Sequence, residues 1–405
     1  METPLFSISI ICKNEESSLP NLLDSLSEFI KLGGEIVLVD TGSTDNSISI
    51  LKDYGFSNKK SSPLWYEEVG DKFRIPITPE LTNLINDTFI STADYDKFNT
   101  LITSSIFDFG SARKYAGSLP KNKWIFSIDC DEVVTHLDIP FLNHVIRSDD
   151  VQQLSFIFRY KDSKGNTTST TQRDKFYNRE YGDWRWIVHE QVKPLKDISK
   201  TVLITENTIS LDHYQHDAEH RSNYFMGMCI DVLRDPNDQH EFWLGRETMF
   251  LGMHTSAIKV LEKYLDKYRS AWSGERCMAC IYIGDCYINI ASQSLVSSKD
   301  FEVLGLMWYF RATIIEDNFR EPWMKLAEFY EKNNISLKVI QYLKAALVIK
   351  KSPNTYLNNA NYYGSMPYLK LYNYLINVGE KEEALYYWNI ADGLYPTEME
   401  KFLTY

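Results

Sequence analysis

The apolar positions of the N-terminal half come in short unbroken runs. Residues 5–12, "LFSISIIC", and 35–40, "EIVLVD", each read as a strand covered on both faces. Between them, Leu19, Leu22, Leu23, Leu26 and Ile30 mark one face of a helix over residues 17–31. The turn "TGSTD" and a helix over residues 45–54 follow. A third buried run, 124–128, precedes further strands at 151–160 and within 172–193, and "SLDHYQHD" (210–217) closes this half. Strand, helix, strand, turn and helix in that order predict a parallel α/β domain. In such domains ligands sit beyond the carboxyl ends of the strands.

Near residue 240 the pattern changes. Apolar residues recur at helical spacing in successive segments, with little sign of strands. The last segment carries Leu375, Gly379, Ala384, Ala391 and Pro396. That is the order of a tetratricopeptide unit: a helix, a small-residue turn, a second helix and a closing proline. An ordinary helical bundle is the other reading. The pattern therefore predicts an α/β domain over residues 1–235 and an all-α repeat domain over residues 236–405. Residues 71–105 are polar, contain Pro76 and Pro79, and read as an insertion or lid.

Composition narrows the function classes. The 405 residues carry a net charge of −12, which argues against a general nucleic-acid binder. No stretch of about 18 apolar residues suggests a membrane span. The N-terminus lacks a basic segment followed by an apolar core, so a cytoplasmic chain without a signal peptide is expected. The six cysteines are scattered and read as reduced thiols. Cys277 and Cys280 have CxxC spacing, but on a helical pattern they fit a core better than a metal site. No P-loop, GxGxxG, HExxH or GxSxG motif is present.

The densest candidate chemistry is "FSIDCDEVV" (126–134), where a buried run ends in Asp129, Asp131 and Glu132. Clustered carboxylates repel one another and are costly to bury, and a bound cation offsets that cost. In extended chain Asp129 and Asp131 point to the same side, so both can address one ligand. Oxygen ligands suit Mg²⁺ or Mn²⁺ bridging to phosphate. Asp40 ends another buried run and reads as a ligand-contacting residue, whereas Asp45 reads as a helix cap. Arg113, beside Lys114, can meet a pyrophosphate or be a surface charge. Glu190, next to His189, follows "WRWIV"; it can serve as a general base or belong to a structural turn. Trp184 and Trp186 suit the apolar faces of sugars or, alternatively, a core. His213, His216 and His220 imitate zinc spacing, but one histidine as a late ligand to the same divalent ion is the better reading.

Together these pieces resemble the family 2 glycosyltransferases of the GT-A fold. The resemblance covers residues 6–215 and rests on Ser9 to Glu16, "VDTGSTD" (39–45), "FDFGSAR" (107–113), "WIFSIDCDE" (124–132) and "VHE" (188–190). It is strongest to the branch of lipopolysaccharide-core glucosyltransferases and sublancin-type peptide S-glycosyltransferases, the latter also carrying C-terminal tetratricopeptide helices. The resemblance implies roles. Ile11, Asn14 and Glu15 would line the base and ribose pocket, and Asp40 would hydrogen-bond the base. Arg113 would face the base or pyrophosphate. Asp129 would contact the ribose or metal-bound water. Asp131 would ligate Mn²⁺ or Mg²⁺, with His213 completing the metal shell. Glu190 would be the catalytic base beside His189, and Trp184 and Trp186 would meet the sugar or acceptor. The implied activity is metal-dependent, inverting transfer of a single sugar. Its donor would be a nucleotide-sugar, commonly a UDP-sugar, and its acceptor a peptide, protein or glycan. A homodimer through the helical repeats is a further expectation. The chain departs from these relatives at Lys114, where Asn is usual, at Trp186, where Gly is common, and over 71–105. A catalytically inactive scaffold that binds a protein partner is the alternative. A sugar-phosphate nucleotidyltransferase fits less well, for want of a Gly-rich phosphate loop.

Overall fold

The computed structural model describes residues 2–148, 150–162, 165–195, 201–214, 221–294, 298–351, 355 and 357–396. Its strands are β1 (Phe6–Cys12), β2 (Glu35–Asp40), β3 (Leu64–Glu68), β4 (Arg74–Pro76), β5 (Ser105–Phe107), β6 (Trp124–Asp129) and β7 (Glu132–Leu137). They continue as β8 (Gln153–Lys161), β9 (Thr167–Asn178), β10 (Gly182–Arg185), β11 (Gln191–Pro194), β12 (Thr201–Leu203) and β13 (Ile209–Tyr214). A mixed sheet runs in the order β3-β2-β1-β6-β9-β8-β13-β7, with β12 paired to β8. β3, β2, β1 and β6 are parallel neighbours, and β9 then runs antiparallel to β6. The predicted class, an α/β domain followed by an all-helical one, is the class observed.

The register explains why the motifs meet. Cys12 lies opposite Asp40 across β1 and β2, and Ile11 lies opposite Asp129 across β1 and β6. The "VDTGSTD" and "FSIDCDE" segments therefore leave the sheet at the same edge. Phe6, Ile8, Ile10 and Cys12 alternate along β1 and pack into one core with Leu19, Leu22, Leu23, Leu26 and Phe29. The helix expected over 17–31 is two shorter ones, Leu19–Ser25 and Ser27–Lys31, parted at Leu26.

The chain divides into two compact units: residues 1–79 with 102–231, and residues 80–101 with 232–405. The stretch expected as an insertion is thus shared between them. Its helices Pro79–Phe89 and Tyr95–Leu101 fall almost wholly in the second unit, while β4 and β5 pair with each other in the first. The second unit is otherwise a series of helical hairpins: Asp238–Phe250 with His254–Lys267, Ser273–Gln293 with Ser298–Ile315, Glu321–Lys332 with Ser336–Val348, and Met366–Val378 with Lys381–Leu394. Gly379, one of the small residues read from the sequence, turns the last hairpin. Its φ of 90° is left-handed, and the Glu380 amide reaches back to the Leu375 carbonyl at 2.9 Å. All six cysteines are buried free thiols, as core residues should be.

Candidate active site

The loop after β1 and the turn after β2 are knitted together. Asn14, held at a φ of 56°, accepts from the Thr44 amide through Oδ1 at 2.7 Å and donates its own amide to Ser43 Oγ at 2.9 Å. The Glu15 amide donates to Ser47 Oγ at 2.8 Å, and the Glu16 amide to Asp45 Oδ2 at 3.0 Å. Asp40 is buried and turns its carboxylate into its own loop, accepting from the amides of Gly42 (3.0 Å) and Ser43 (3.1 Å) and from the Ser43 hydroxyl. Asp40 therefore shapes the turn as well as ending the strand. Asp45 accepts from the Ser47 amide at 3.0 Å and from the Ser47 hydroxyl at 2.6 Å, but the N-cap of the helix Ser47–Asp53 is Asn46, so Asp45 braces the turn one residue ahead of the cap position.

At the end of β6 the acid cluster is met by the protein's own cations. Arg113, buried on the helix Phe109–Ser118, ion-pairs through Nη1 with Asp129 and through Nε with Glu190 Oε1 at 2.7 Å. Lys175 of β9 reaches Asp129 Oδ2 at 2.5 Å and Glu132 Oε1 at 2.7 Å. The result is an alternating chain of charge: Glu190, Arg113, Asp129, Lys175, Glu132. Burial opposes the charge on Asp129, but Arg113 and Lys175 outweigh it and hold its carboxyl far below the usual range. Glu132 is the converse. At 1 % exposure, burial together with Asp129 outweighs Lys175 and pushes its carboxyl up to about 7. The countercharge these carboxylates need is supplied by Arg113 and Lys175 for Asp129 and by Lys175 for Glu132.

Asp131 stands apart from that chain. Its Oδ1 lies 3.5 Å from His213 Nδ1, too long for a good hydrogen bond. That nitrogen is buried and has no other hydrogen-bond partner. Burial opposes charging of His213, but Asp131, Glu132 and Asp129 outweigh it and raise its pKa. An orphaned imidazole nitrogen facing a carboxylate is a donor set that fits a divalent ion. Among the described residues no three His, Cys, Asp or Glu side chains converge to cage a metal, so the remaining ligands would be phosphate oxygens and water. His216 and His220 lie outside the described residues.

The segment carrying Glu190 is held from two sides. Trp186 and His189 have φ values of 71° and 50°, uncommon for side chains other than glycine. The two amides between them, Ile187 and Val188, both donate to the buried carboxylate of Asp231, at 2.8 Å and 3.3 Å to Oδ2. Asp231 sits on the helix Arg221–Arg234, whose Asn223 also accepts from the Phe107 amide at 2.8 Å and whose Tyr224 ring lies 5.6 Å from His189. On the other side, the Phe109 amide donates to the Ile187 carbonyl at 3.0 Å. Gly110 makes this approach feasible, since a Cβ there would sit 1.9 Å from the Trp186 carbonyl oxygen. Non-glycine residues held at positive φ beside a charged cluster are the kind of strain that marks functional sites.

Among the candidate residues, Arg113, Asp129 and Glu190 are joined by ion pairs, and Asp131 meets His213. Trp184 is 5 % exposed, donates from Nε1 to the Tyr177 hydroxyl at 3.0 Å, and lies under the Arg113 guanidinium. This burial matches the core role that the sequence left as its alternative to a sugar platform. Trp186 keeps a half-buried ring with Lys193 Nζ 4.9 Å from its centroid. Lys175 and Asp231 were missed by sequence reasoning. Each did leave a signal, a lysine entering the buried run "FY" and a lone acid within the apolar "FMGMCIDVL".

Residues 7–61 match the family model described as glycosyl transferase family 2. That segment holds Ile11, Asn14, Glu15 and Asp40. No curated protein sequence matches the chain. Among solved structures, TarS residues 1–349 of S. aureus, in complex with UDP-GlcNAc, is 12 % identical at a TM-score of 0.35, covering 78 % of this chain and 91 % of that fragment. MamA is 17 % identical at 0.33, covering 46 % of this chain and 92 % of MamA. A tetratricopeptide protein of Thermus thermophilus is 13 % identical at 0.33, covering 46 % of this chain and 88 % of that protein. Likenesses of this size establish neither fold nor function. Among the described residues no helix is long and apolar enough to cross a membrane.

Proposed function

We propose that the chain is a cytoplasmic glycosyltransferase of GT-A type. It transfers one sugar from a nucleotide-sugar, most simply a UDP-sugar, to a hydroxyl or thiol of a peptide, protein or glycan. One observation supports this above the rest. The segment matched by the glycosyltransferase model and the chain of ion pairs through Arg113 leave the sheet at the same edge, in register across β2, β1 and β6.

In this reading Ile11, Asn14, Glu15 and Asp40 line the pocket for base and ribose, built on the interlocked loops after β1 and β2. Asp129, kept ionised by two cations, accepts from ribose hydroxyls. Arg113 offers its remaining N–H groups to the base or diphosphate. Asp131 and His213 would hold Mn²⁺ or Mg²⁺, which when bound neutralises the departing diphosphate. Glu190 takes the proton from the acceptor hydroxyl or thiol. The acceptor oxygen or sulfur bonds to the anomeric carbon as that carbon's bond to the donor phosphate oxygen breaks. The electron pair leaves with the nucleoside diphosphate, and a single in-line displacement inverts the centre. His189 and Trp186, at strained positions beside Glu190, stand on the acceptor side. The helical hairpins provide a surface for the acceptor and for a second copy of the chain.

Calorimetric titration with UDP-, GDP- and dTDP-sugars, with and without Mn²⁺, tests the reading. One nucleotide should bind more tightly with Mn²⁺, and Asp131→Ala should remove that metal-dependent part. Glu190→Gln should bind donor normally and lose turnover. A folded chain that binds none of these nucleotides overturns the reading in favour of a scaffold.

A further inference from the structure

Beside the Glu190 segment stands a polar group with no partner, the phenol of Tyr224 on the helix Arg221–Arg234. Its ring is held in place. It stacks on Phe109, 6.0 Å away at 21°, and lies 5.6 Å from the His189 ring at 54°. Phe109 in turn meets Phe107 edge-on at 4.8 Å, and the Phe107 amide donates to Asn223, one residue before Tyr224, at 2.8 Å. The same helix is tied a second time to the segment 186–190 through Asp231. The residue is nevertheless 37 % exposed, and its hydroxyl makes no hydrogen bond among the described residues. That hydroxyl faces charge. Burial of the ring first, and then the Glu190 carboxylate, push its pKa up to about 12; Asp129 and Asp131 act in the same sense and Arg113 against them. The phenol is therefore a neutral hydrogen-bond donor at physiological pH.

Glu190 is the complement of that donor. Its Oε1 accepts from Arg113 Nε at 2.7 Å, and its Oε2 accepts no hydrogen bond among the described residues. A donor and an acceptor without protein partners thus belong to one small site. A group that satisfies both must accept one hydrogen bond and donate another. An alcohol does so at a single atom: its oxygen accepts from the phenol, and its own proton points to the carboxylate. A thiol does not, because sulfur is a weak acceptor. We propose that Tyr224 is an acceptor-binding residue, donating to the nucleophilic oxygen of an acceptor hydroxyl while Glu190 takes that hydroxyl's proton, so that the site selects hydroxyls over thiols. The inference rests on the reading of Glu190 as the base and narrows the acceptor left open there. In the transfer the acceptor O–H bond breaks and its proton moves to Glu190 Oε2. The oxygen bonds to the anomeric carbon, and the electron pair of that carbon's bond to the donor phosphate oxygen leaves with the nucleoside diphosphate. Tyr224 keeps its own proton throughout. Its hydrogen bond strengthens as negative charge gathers on the attacking oxygen, which lowers the barrier.

Release of nucleoside diphosphate by the full chain tests this, with Mn²⁺ and whichever UDP-, GDP- or dTDP-sugar binds in the titration. Four acceptors are compared: water alone, a methyl glycoside, a short peptide with one serine, and the same peptide with cysteine in its place. The wild type should hydrolyse the donor slowly and transfer faster to the glycoside or the serine peptide than to the cysteine peptide. Tyr224→Phe should keep the wild-type donor affinity and thermal stability, because the lost hydroxyl bonds nothing in the fold. Its kcat toward water and hydroxyl acceptors should fall about tenfold to a hundredfold, the worth of a hydrogen bond to a charged group. Its transfer to cysteine should change by no more than about twofold, since sulfur hardly uses the donor. A chain that binds no donor overturns the glycosyltransferase reading and this inference with it. Where a donor binds, this inference fails alone if Tyr224→Phe weakens donor binding, leaves transfer to hydroxyls unchanged, or slows thiol and hydroxyl transfer alike. It fails equally if the wild type prefers the cysteine peptide or turns over with none of the four acceptors.

Discussion

Lys175 is the residue on which the charge balance of the site turns. Its ammonium serves two carboxylates at once, the half-buried Asp129 and the buried Glu132. Removing one partner of a buried ion pair leaves an uncompensated charge, at a cost of about 3–5 kcal/mol. Lys175→Met should therefore destabilise the fold by roughly 3 kcal/mol or more, read by urea unfolding at neutral pH. The pH dependence carries a sign. In the wild type the Glu132 carboxyl is already raised to about 7, so it binds a proton more tightly folded than unfolded. The stability it contributes is present in acid and is lost as pH rises through that value. Without Lys175 its carboxyl rises further, and the variant should regain stability as pH falls from 7 toward 5. A variant whose stability deficit is the same at both pH values shows that Lys175 does not compensate these acids. His213 has the same sign, since its pKa is also raised: what its pairing with Asp131 contributes fades as pH climbs past the ordinary histidine range.

At the scale of the element, the segment 186–190 depends on helices on either side of it. Asp231→Ala would leave the Ile187 and Val188 amides without the acceptor they share, at about 1–3 kcal/mol for each unsatisfied group. The expected readout is faster hydrogen exchange at those two amides, together with loss of turnover and unchanged donor affinity. Exchange that stays at the wild-type rate shows the segment to be held by other contacts. Gly110→Ala acts from the opposite side, forcing the Trp186 carbonyl away from the helix that carries Arg113. Neither dependence was legible in the sequence. Strands β1, β2 and β6, with the acids at their ends, were legible because unbroken apolar runs and clustered carboxylates are local signals. So was the pairing of helices after residue 240. Lys175 and Asp231 act across 43 and 44 residues of chain, on Glu132 and Ile187, so their local sequence marks each as a charge in an apolar run without naming its partner. Trp184 shows a case the sequence leaves open: "WRW" suits a sugar platform or a core, and in the fold one of its rings packs with Tyr177 and Arg113.

At the scale of the whole chain, the units do not coincide with the halves of the sequence. Residues 80–101 belong to the helical unit and are fixed to its helix His254–Lys267. The buried carboxylate of Asp94 accepts from the Ser256 amide and hydroxyl, each at 2.7 Å, and the Ser91 amide donates to the Ser256 hydroxyl at 2.9 Å. Lys97 Nζ donates to the Gly252 carbonyl at 2.7 Å. Ile85, Phe89, Ile90 and Phe98 are buried, each side chain contributing roughly 1.5–3 kcal/mol when removed from water. A chain cut after residue 235, the boundary expected from sequence, keeps this segment and loses the helix it packs on. It should aggregate, because four large apolar side chains and the Asp94 carboxylate become unpartnered together. A second truncation that also replaces residues 80–101 by a Gly-Ser linker should stay soluble and keep donor binding. Light scattering of the two truncations decides the matter. If the simple cut at 235 is soluble and monomeric, residues 80–101 do not need the helix His254–Lys267 and belong with the first unit.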